Sequence, residues 1–518
     1  MTKEFFTLSE NAKLEYSCTV VQIGEVKPVE GSDFLGSTLV NGNPIVVRKD
    51  QIKEGDIMIY APIETVLNKQ FLSVNNLFEI GEKELNSNFK EVQALINEGK
   101  KDDAKKLVGF FNKHGRVKLI RLRGCPSMGF LIEKESLVKW KPKLQDVDFS
   151  QYVDKDFDTI DGELFVKVYV PYVPPVRTRG SRMNKADKKL KRFSRLVDGE
   201  FKFHYETQQL QRNIHYFNPT DEIIVDVKLH GTSFCIGNLL TRKPLHLNVV
   251  QKLFNKMSDK KIKKLSKLRA THYADKRKRD RQIELLKARK SPEYKIGYGN
   301  IYSSRTVIKN QYINKDVTSG YYGTDIWGLF NEIIKPYIPQ GMTLYGEICG
   351  YLDKTGKMIQ AKYDYGCEVG ESFLMPYRIT TTREDHTKKE WEVEDVYNWT
   401  VKLLKEHPEL KGKIRPLTIL YKGTLKDLYP NISVTEHWHE NVLEAMRNDK
   451  EHFGMEELEP LCKNSVYREG VCVRKLKDPV AECFKLKSLA FLQKEGEAVT
   501  KGQVDIEMTE GYGDAAEQ

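Results

Sequence analysis

The 518-residue sequence predicts an α+β protein in which a small β-rich module precedes a larger domain of apolar strands alternating with charged helices. Three observations predict it. Short alternating runs, TVVQIGEV, PIVVRKD and GDIMIYAPI, crowd residues 15 to 80 between Gly, Pro and Asp, the pattern of short strands in a small barrel. From about Asn213 onward, apolar strand-like runs are separated by longer charged stretches at 256 to 290, 325 to 337 and 389 to 406 that read as helices. Between the two regions, YVPPVR and the basic Gly/Ser stretch after it place a boundary near 150 to 200.

In chain order, residues 1 to 150 form the β module, with a helical insertion at 87 to 113 and further strand-like sequence in GRVKLIRLRGCPSMGFLI. Residues 151 to 212 read as a basic linker, and 213 to 490 as the main domain with insertions at about 256 to 290 and 385 to 460. The last segment, 491 to 518, is acidic and from Glu495 is expected to be poorly ordered. No stretch of 18 apolar residues occurs and MTKEFFTLSE lacks the order of a secretory signal, so no membrane span and an intracellular, cytoplasmic setting are expected. The eight cysteines contain no CxxC pair, which argues against a structural zinc site and a disulfide framework.

Charge is concentrated. The chain carries 84 Lys and Arg against 73 Asp and Glu. Residues 256 to 290 hold 15 Lys or Arg and 4 Asp or Glu, and RTRGSRMNKADKKLKRFSR, from Arg177 to Arg195, holds nine basic residues against one acidic. Charge runs are commonly solvated faces, but two such dense clusters favour a polyanion as partner.

Five segments deliver charged groups at the ends of apolar runs. IIVDVKLHG presents Lys228, NIYSSRTVI presents Arg305, GMTLYGEICGY presents Glu347, SVYREGVCVRK presents Glu469, and AECFKLKSLAF presents Lys485 and Lys487 on one face of a strand. Each alone is ordinary, since strand ends are often solvated. Together they supply one amine in a KLHG turn, two carboxylates able to hold a divalent cation, and cations for phosphate. Nucleotidyl transfer uses that set: a neutral Lys228 would attack an α-phosphorus, its pKa lowered by Lys487 or a bound metal.

KLHG, SSR, YGEICGY, FLMPYRI, REGVCVRK and FKLKS, in that order, resemble motifs I, Ia, III, IIIa, IV and V of the covalent nucleotidyltransferase superfamily. That superfamily includes ATP-dependent RNA ligases, DNA ligases and mRNA capping enzymes. FHYETQQLQRN, GTDIWGLF, VQIGEVKPVEGSDFLG, IKEGDIMIYAP and RLRGCPSMGFLI extend the resemblance to RNA ligases of the type with an N-terminal OB-like domain, found in bacteria, some protists and phages. The resemblance covers most of residues 15 to 490. It implies a nucleotidyltransferase (ATP-grasp-like ligase) catalytic domain behind an OB-like barrel. Lys228 would be the covalent nucleophile, and Gly231 would let the loop approach the nucleotide. Glu347 would meet the ribose or the metal, Glu469 would bind the metal, and Lys485 and Lys487 would contact the α-phosphate. Arg305 would engage ribose or substrate phosphate, and Tyr377 would stack on the purine. His230 stands where the superfamily commonly has an aspartate.

The implied activity joins RNA 3'-hydroxyl and 5'-phosphate ends through enzyme-lysyl-AMP and an adenylylated 5' end, with ATP and Mg2+ or Mn2+. The implied partner is RNA, as a nicked duplex or a damaged tRNA, with no obligate protein partner evident; a phage-encoded enzyme acting in a bacterial host fits this setting. DNA ligases and capping enzymes generally carry an OB domain after motif V, and 518 minus 487 leaves 31 residues there, too few for one. A DNA ligase, a capping nucleotidyltransferase and a non-enzymatic RNA binder with a degenerate core are the rival expectations.

Overall fold

A computed structural model describes residues 4–170, 193–205, 207–267, 273–312, 324–477 and 482–501. Two five-stranded sheets build the main domain. The first runs Gln208–Gln209, Cys483–Lys487, Gly470–Lys475, Glu222–Lys228, Ile419–Thr424; the second runs Tyr294–Ser303, Thr232–Pro244, Met342–Gly350, Ser372–Thr382, Lys388–Glu390. Strand Glu222–Lys228 forms because Ile223, Ile224, Val225 and Val227 can be buried on both of its faces, where β-branched side chains fit the pleat.

Three apolar layers position the site. On one side of the first sheet, Ile223, Val225, Val471, Val473, Phe484 and Leu486 pack on Trp438, Val442, Leu443 and Met446 of helix Trp438–Asn448. Outside the second sheet, Ile326, Trp327, Phe330 and Ile334 of helix Ile326–Ile334 cover Phe234, Ile236, Leu344 and Ile348. Asp325 starts that helix by accepting the Gly328 N–H at 2.9 Å, the usual cap for an orphan donor. Between the sheets, Ile224, Val227 and Leu229 meet Cys349, Tyr365, Phe373 and Met375, so the sheets are glued where Lys228 ends its strand.

The N-terminal module is β-rich, but its strands fall into several small sheets. The largest runs Gly129–Ile132, Ile57–Pro62, Cys18–Gln22, Asp156–Phe157. Among the described residues these pairings do not close into one ring, so the expected barrel is met only as a β-rich module. Helices Phe89–Asn97 and Lys101–Lys106 fill the expected helical insertion. Strand pairing runs past residue 150: Asp156–Phe157 pairs with Cys18 and Thr19, Thr159–Ile160 with Phe6 and Thr7, and Val166–Val168 with Thr65–Leu67. These pieces of two or three residues are too short to show alternation, which is why the sequence reads as linker there.

Of the basic cluster 177 to 195, only Phe193, Ser194 and Arg195 are described; the rest lies outside the described residues. The segment at 256 to 290 belongs to two helices, Val249–Ser266 and Tyr273–Ala288, the first opened by an Asn248–Gln251 capping box. The region 385 to 460 is not peripheral, since it contributes the sheet strand Ile419–Thr424 and the core helix Trp438–Asn448.

The acidic end corrects its expectation up to Thr500. Leu489–Thr500 is a helix that buries Leu489, Phe491 and Val499; Ser488 caps it, and Glu456 accepts the N–H groups of Leu489 at 2.6 Å and Ala490 at 3.2 Å. Residues 502–518 lie outside the described residues. No described helix is long and apolar enough to cross a membrane.

Candidate active site

The antiparallel register puts Lys228 opposite Gly470 and Gly470 opposite Lys487, so two lysines flank a residue without a side chain. A Cβ on Gly470, whose φ is +148°, would lie 2.1 Å from the Leu486 carbonyl oxygen, so glycine is required there. Glu469, one residue earlier, is 3% exposed and binds both lysines: its Oε1 lies 2.9 Å from Lys228 Nζ and 3.2 Å from Lys487 Nζ. Its Oε2 is buried with no hydrogen-bond partner, and His230 Nδ1 lies 4.0 Å away.

Electrostatics follow from this geometry. Burial works to raise the Glu469 carboxyl, but Lys228 and Lys487 overcome it and bring it down to about 2. For Lys228, burial disfavours the charged form; Glu469 outweighs burial and holds the ammonium above an ordinary lysine, with Lys487 pulling the other way. Lys487 thus lowers Lys228 as expected, but in the resting site the attraction of the Glu469 carboxylate outweighs both it and burial, so the net shift is upward.

The other candidates converge here. A cleft of about 750 Å³ is lined by Lys228, His230, Arg305, Glu347, Tyr377, Glu469, Lys485 and Lys487. Glu347 Oε1 accepts the Gly231 N–H at 3.1 Å, and Gln360 Nε2 donates to the Gly231 carbonyl at 2.9 Å. A Cβ on Gly231 would meet the Ile348 carbonyl oxygen at 2.4 Å, so this glycine lets the KLHG loop lie against the strand carrying Glu347. His230 is held by its backbone N–H on the Tyr365 hydroxyl at 2.7 Å, with its ring against Tyr363 and Phe491. It stands as a half-buried wall of the loop. The Tyr377 ring faces His204, centroids 5.1 Å apart, and burial followed by Arg378 pushes the His204 imidazole well below its usual value.

Residues not foreseen from the sequence complete the floor. Asp226 is ion-paired with Arg474, and both lie on the cleft face of the first sheet. Burial raises the Asp226 carboxyl to about 7 against the pull of Arg474, whose own guanidinium stays charged. Lys485 Nζ lies 3.4 Å from Glu15 Oε2 of the N-terminal module, and Lys487 Nζ 3.5 Å from Glu495 Oε2 of the C-terminal helix. Their only sequence signal was acidity in unremarkable surroundings.

The residues fit a divalent cation. Glu469 is ionised and keeps one buried oxygen unpartnered, and Glu347 lines the same cleft. Among the described residues no group of three or more His, Cys, Asp or Glu could hold a metal ion.

No family model matches the chain, and no curated protein does. Solved structures of Naegleria gruberi RNA ligase are similar. A mutant with AMP and Mn is 15% identical over 92% of this chain and 98% of that one, at a TM-score of 0.48. A mutant with ATP and Mn is 15% identical over 93% and 98%, at 0.46. The ligase with PPi is 15% identical over 93% and 99%, also at 0.46. At such identities and TM-scores the likeness carries no functional weight.

Proposed function

We propose that the protein is an ATP-dependent RNA ligase that joins 3'-hydroxyl and 5'-phosphate ends through Lys228-AMP and an adenylylated 5' end. The observation that supports it most is the line Lys228–Glu469–Lys487 across three adjacent strand ends, open to a cleft that also holds Arg305, Glu347, Tyr377 and Lys485. In the first step the Lys228 Nζ gives up a proton and attacks the α-phosphorus; the bond from that phosphorus to the bridging oxygen breaks and pyrophosphate leaves. Lys485 and Lys487 balance charge on the phosphate oxygens, Tyr377 offers a face to the base, and Arg305 engages ribose or substrate phosphate. Glu347 and Glu469 would hold Mg2+ or Mn2+, which supplies positive charge beside the phosphates. With Glu469 so engaged, Lys228 would lose the charge that holds its proton, and burial and Lys487 would then favour the neutral amine, its proton passing to solvent.

The proposed RNA, a nicked duplex or damaged tRNA in the cytoplasm, would be met through phosphate contacts on the basic helices Val249–Ser266 and Tyr273–Ala288, and the N-terminal module is read as OB-like. Such contacts set affinity without choosing sequence. Incubating the protein with radiolabelled ATP or GTP and resolving it on a denaturing gel tests the reading. Label from ATP on Lys228 is expected; label from GTP alone would make it a capping enzyme, and no label a binder.

A further inference from the structure

We propose that Glu15 is the resting counter-anion of Lys485 and that an arriving phosphate must displace it, so that filling the cleft frees the Leu14–Tyr16 turn of the N-terminal module from the strand that bears Lys485. This rests on the ligase reading for the identity of the phosphate as part of ATP, and it adds a device by which the module senses nucleotide.

The contact crosses the domains. Glu15 Oε2 lies 3.4 Å from Lys485 Nζ, and the two side chains are 17% and 16% exposed. The other oxygen, Oε1, is buried with no hydrogen-bond partner, so the carboxylate sits here half satisfied and regains that bond when it moves to water. Glu15 belongs to the single turn Leu14–Tyr16, whose neighbours Lys13 and Tyr16 line the cleft. Arg212 of the main domain donates to the Leu14 carbonyl and, at 2.7 Å, to Asp156 Oδ1 of the module. That turn is therefore a seam between the module and the strand bearing Lys485. A phosphate oxygen cluster has more charge and more acceptors than one carboxylate, so it wins Lys485. Lys487, whose nearer acid is Glu469, also meets Glu495 of the C-terminal helix at 3.5 Å.

The test uses the full chain with ATP and AMP as probes. Glu15→Gln removes the competing charge. It should lower the KM for ATP in Lys228 labelling at least about fivefold with kcat little changed, and tighten AMP binding in calorimetry by a similar factor. Glu15→Asp, which keeps the anion, should restore wild-type behaviour. A purely structural Glu15 would instead cost thermal stability and kcat together without the KM split, and that result overturns the proposal. The unmodified chain gives an independent reading should Glu15→Gln not fold. AMP, which carries the α-phosphate, should speed amide hydrogen exchange at Tyr16 and Ser17, whose N–H groups bond to Lys13 and Leu14 carbonyls within the turn; slowed or unchanged exchange with AMP bound overturns it. Faster exchange in a protein that never labels on Lys228 keeps the displacement and sinks the ligase reading. Labelling with an unchanged KM in Glu15→Gln does the reverse.

Discussion

The cleft and the basic helical hairpin carry charge in opposite ways. In the cleft, Glu469 is 3% exposed and bridges two lysines, and Asp226 is buried against Arg474. On the hairpin the lysines of Val249–Ser266 stand mostly in solvent, above a stripe in which Val249 is 81% and Met257 64% exposed. Buried charges are costly to orphan because the partner left behind has no water, whereas exposed ones are screened and nearly interchangeable. Cleft substitutions should therefore act one residue at a time and hairpin substitutions only in number.

The largest expected effect is at Lys228. Lys228→Ala should form no covalent AMP, since no other group supplies the phosphoramidate nitrogen, while RNA binding persists through the hairpin. Label on another peptide would remove the assignment. The same variant should still seal RNA that already bears an adenylylated 5' end, because attack by the 3'-hydroxyl needs no lysyl adduct; equal failure on both RNAs would give Lys228 a second role.

Next comes Glu469→Gln, with a drop in labelling on the order of a hundredfold, as for removal of one preorganised charge. Its pH profile is more telling. At ATP concentrations far below saturation, where the rate reports the unloaded site, the raised Lys228 of the wild type should make labelling climb as pH rises into the alkaline range. Without the Glu469 charge, burial and Lys487 both lower Lys228, so the climb should shift to lower pH. A profile that stays in place would mean another anion holds the lysine.

Arg474→Met should cost about 3 to 5 kcal/mol in denaturant unfolding by leaving Asp226 uncompensated. With the Asp226 carboxyl already raised to about 7 by burial, it can take up a proton below that pH, so the loss should be smaller at pH 5 than at pH 8. Equal losses at both would mean that the packing of Arg474, not its charge, matters. The smallest effect belongs to the hairpin: neutralising Lys276, Arg277, Lys278 and Arg279 should lower the slope of log affinity against log salt by roughly 0.7 to 0.9 for every phosphate no longer engaged, with labelling unchanged. An unaltered slope would leave this segment as a solvated face.

The site was largely legible in the sequence because Lys228, Glu347, Glu469, Lys485 and Lys487 each end or adjoin an apolar run long enough to mark a strand. Their partners were not legible. Glu15 lies 470 residues from Lys485, and Arg474 lies 248 from Asp226, separations that only the fold brings together. The module's last strands escaped because they are two or three residues long. The helix beyond Glu495 escaped because its order comes from Glu456, Leu489 and Phe491 packing, not from its acidic, glycine-containing composition.

One consequence of the lysine pairing concerns capture from a distance. The four cations assigned to chemistry, Lys228, Arg305, Lys485 and Lys487, stand among four carboxylates, Glu15, Glu347, Glu469 and Glu495. These paired charges offset one another, so the field they add beyond the opening is short-ranged. The unmatched charge of the hairpin reaches farther, across about a Debye length of 8 Å at physiological salt. Under the proposed function, the hairpin would steer a polynucleotide over a longer range than the paired charges of the cleft would steer a mononucleotide.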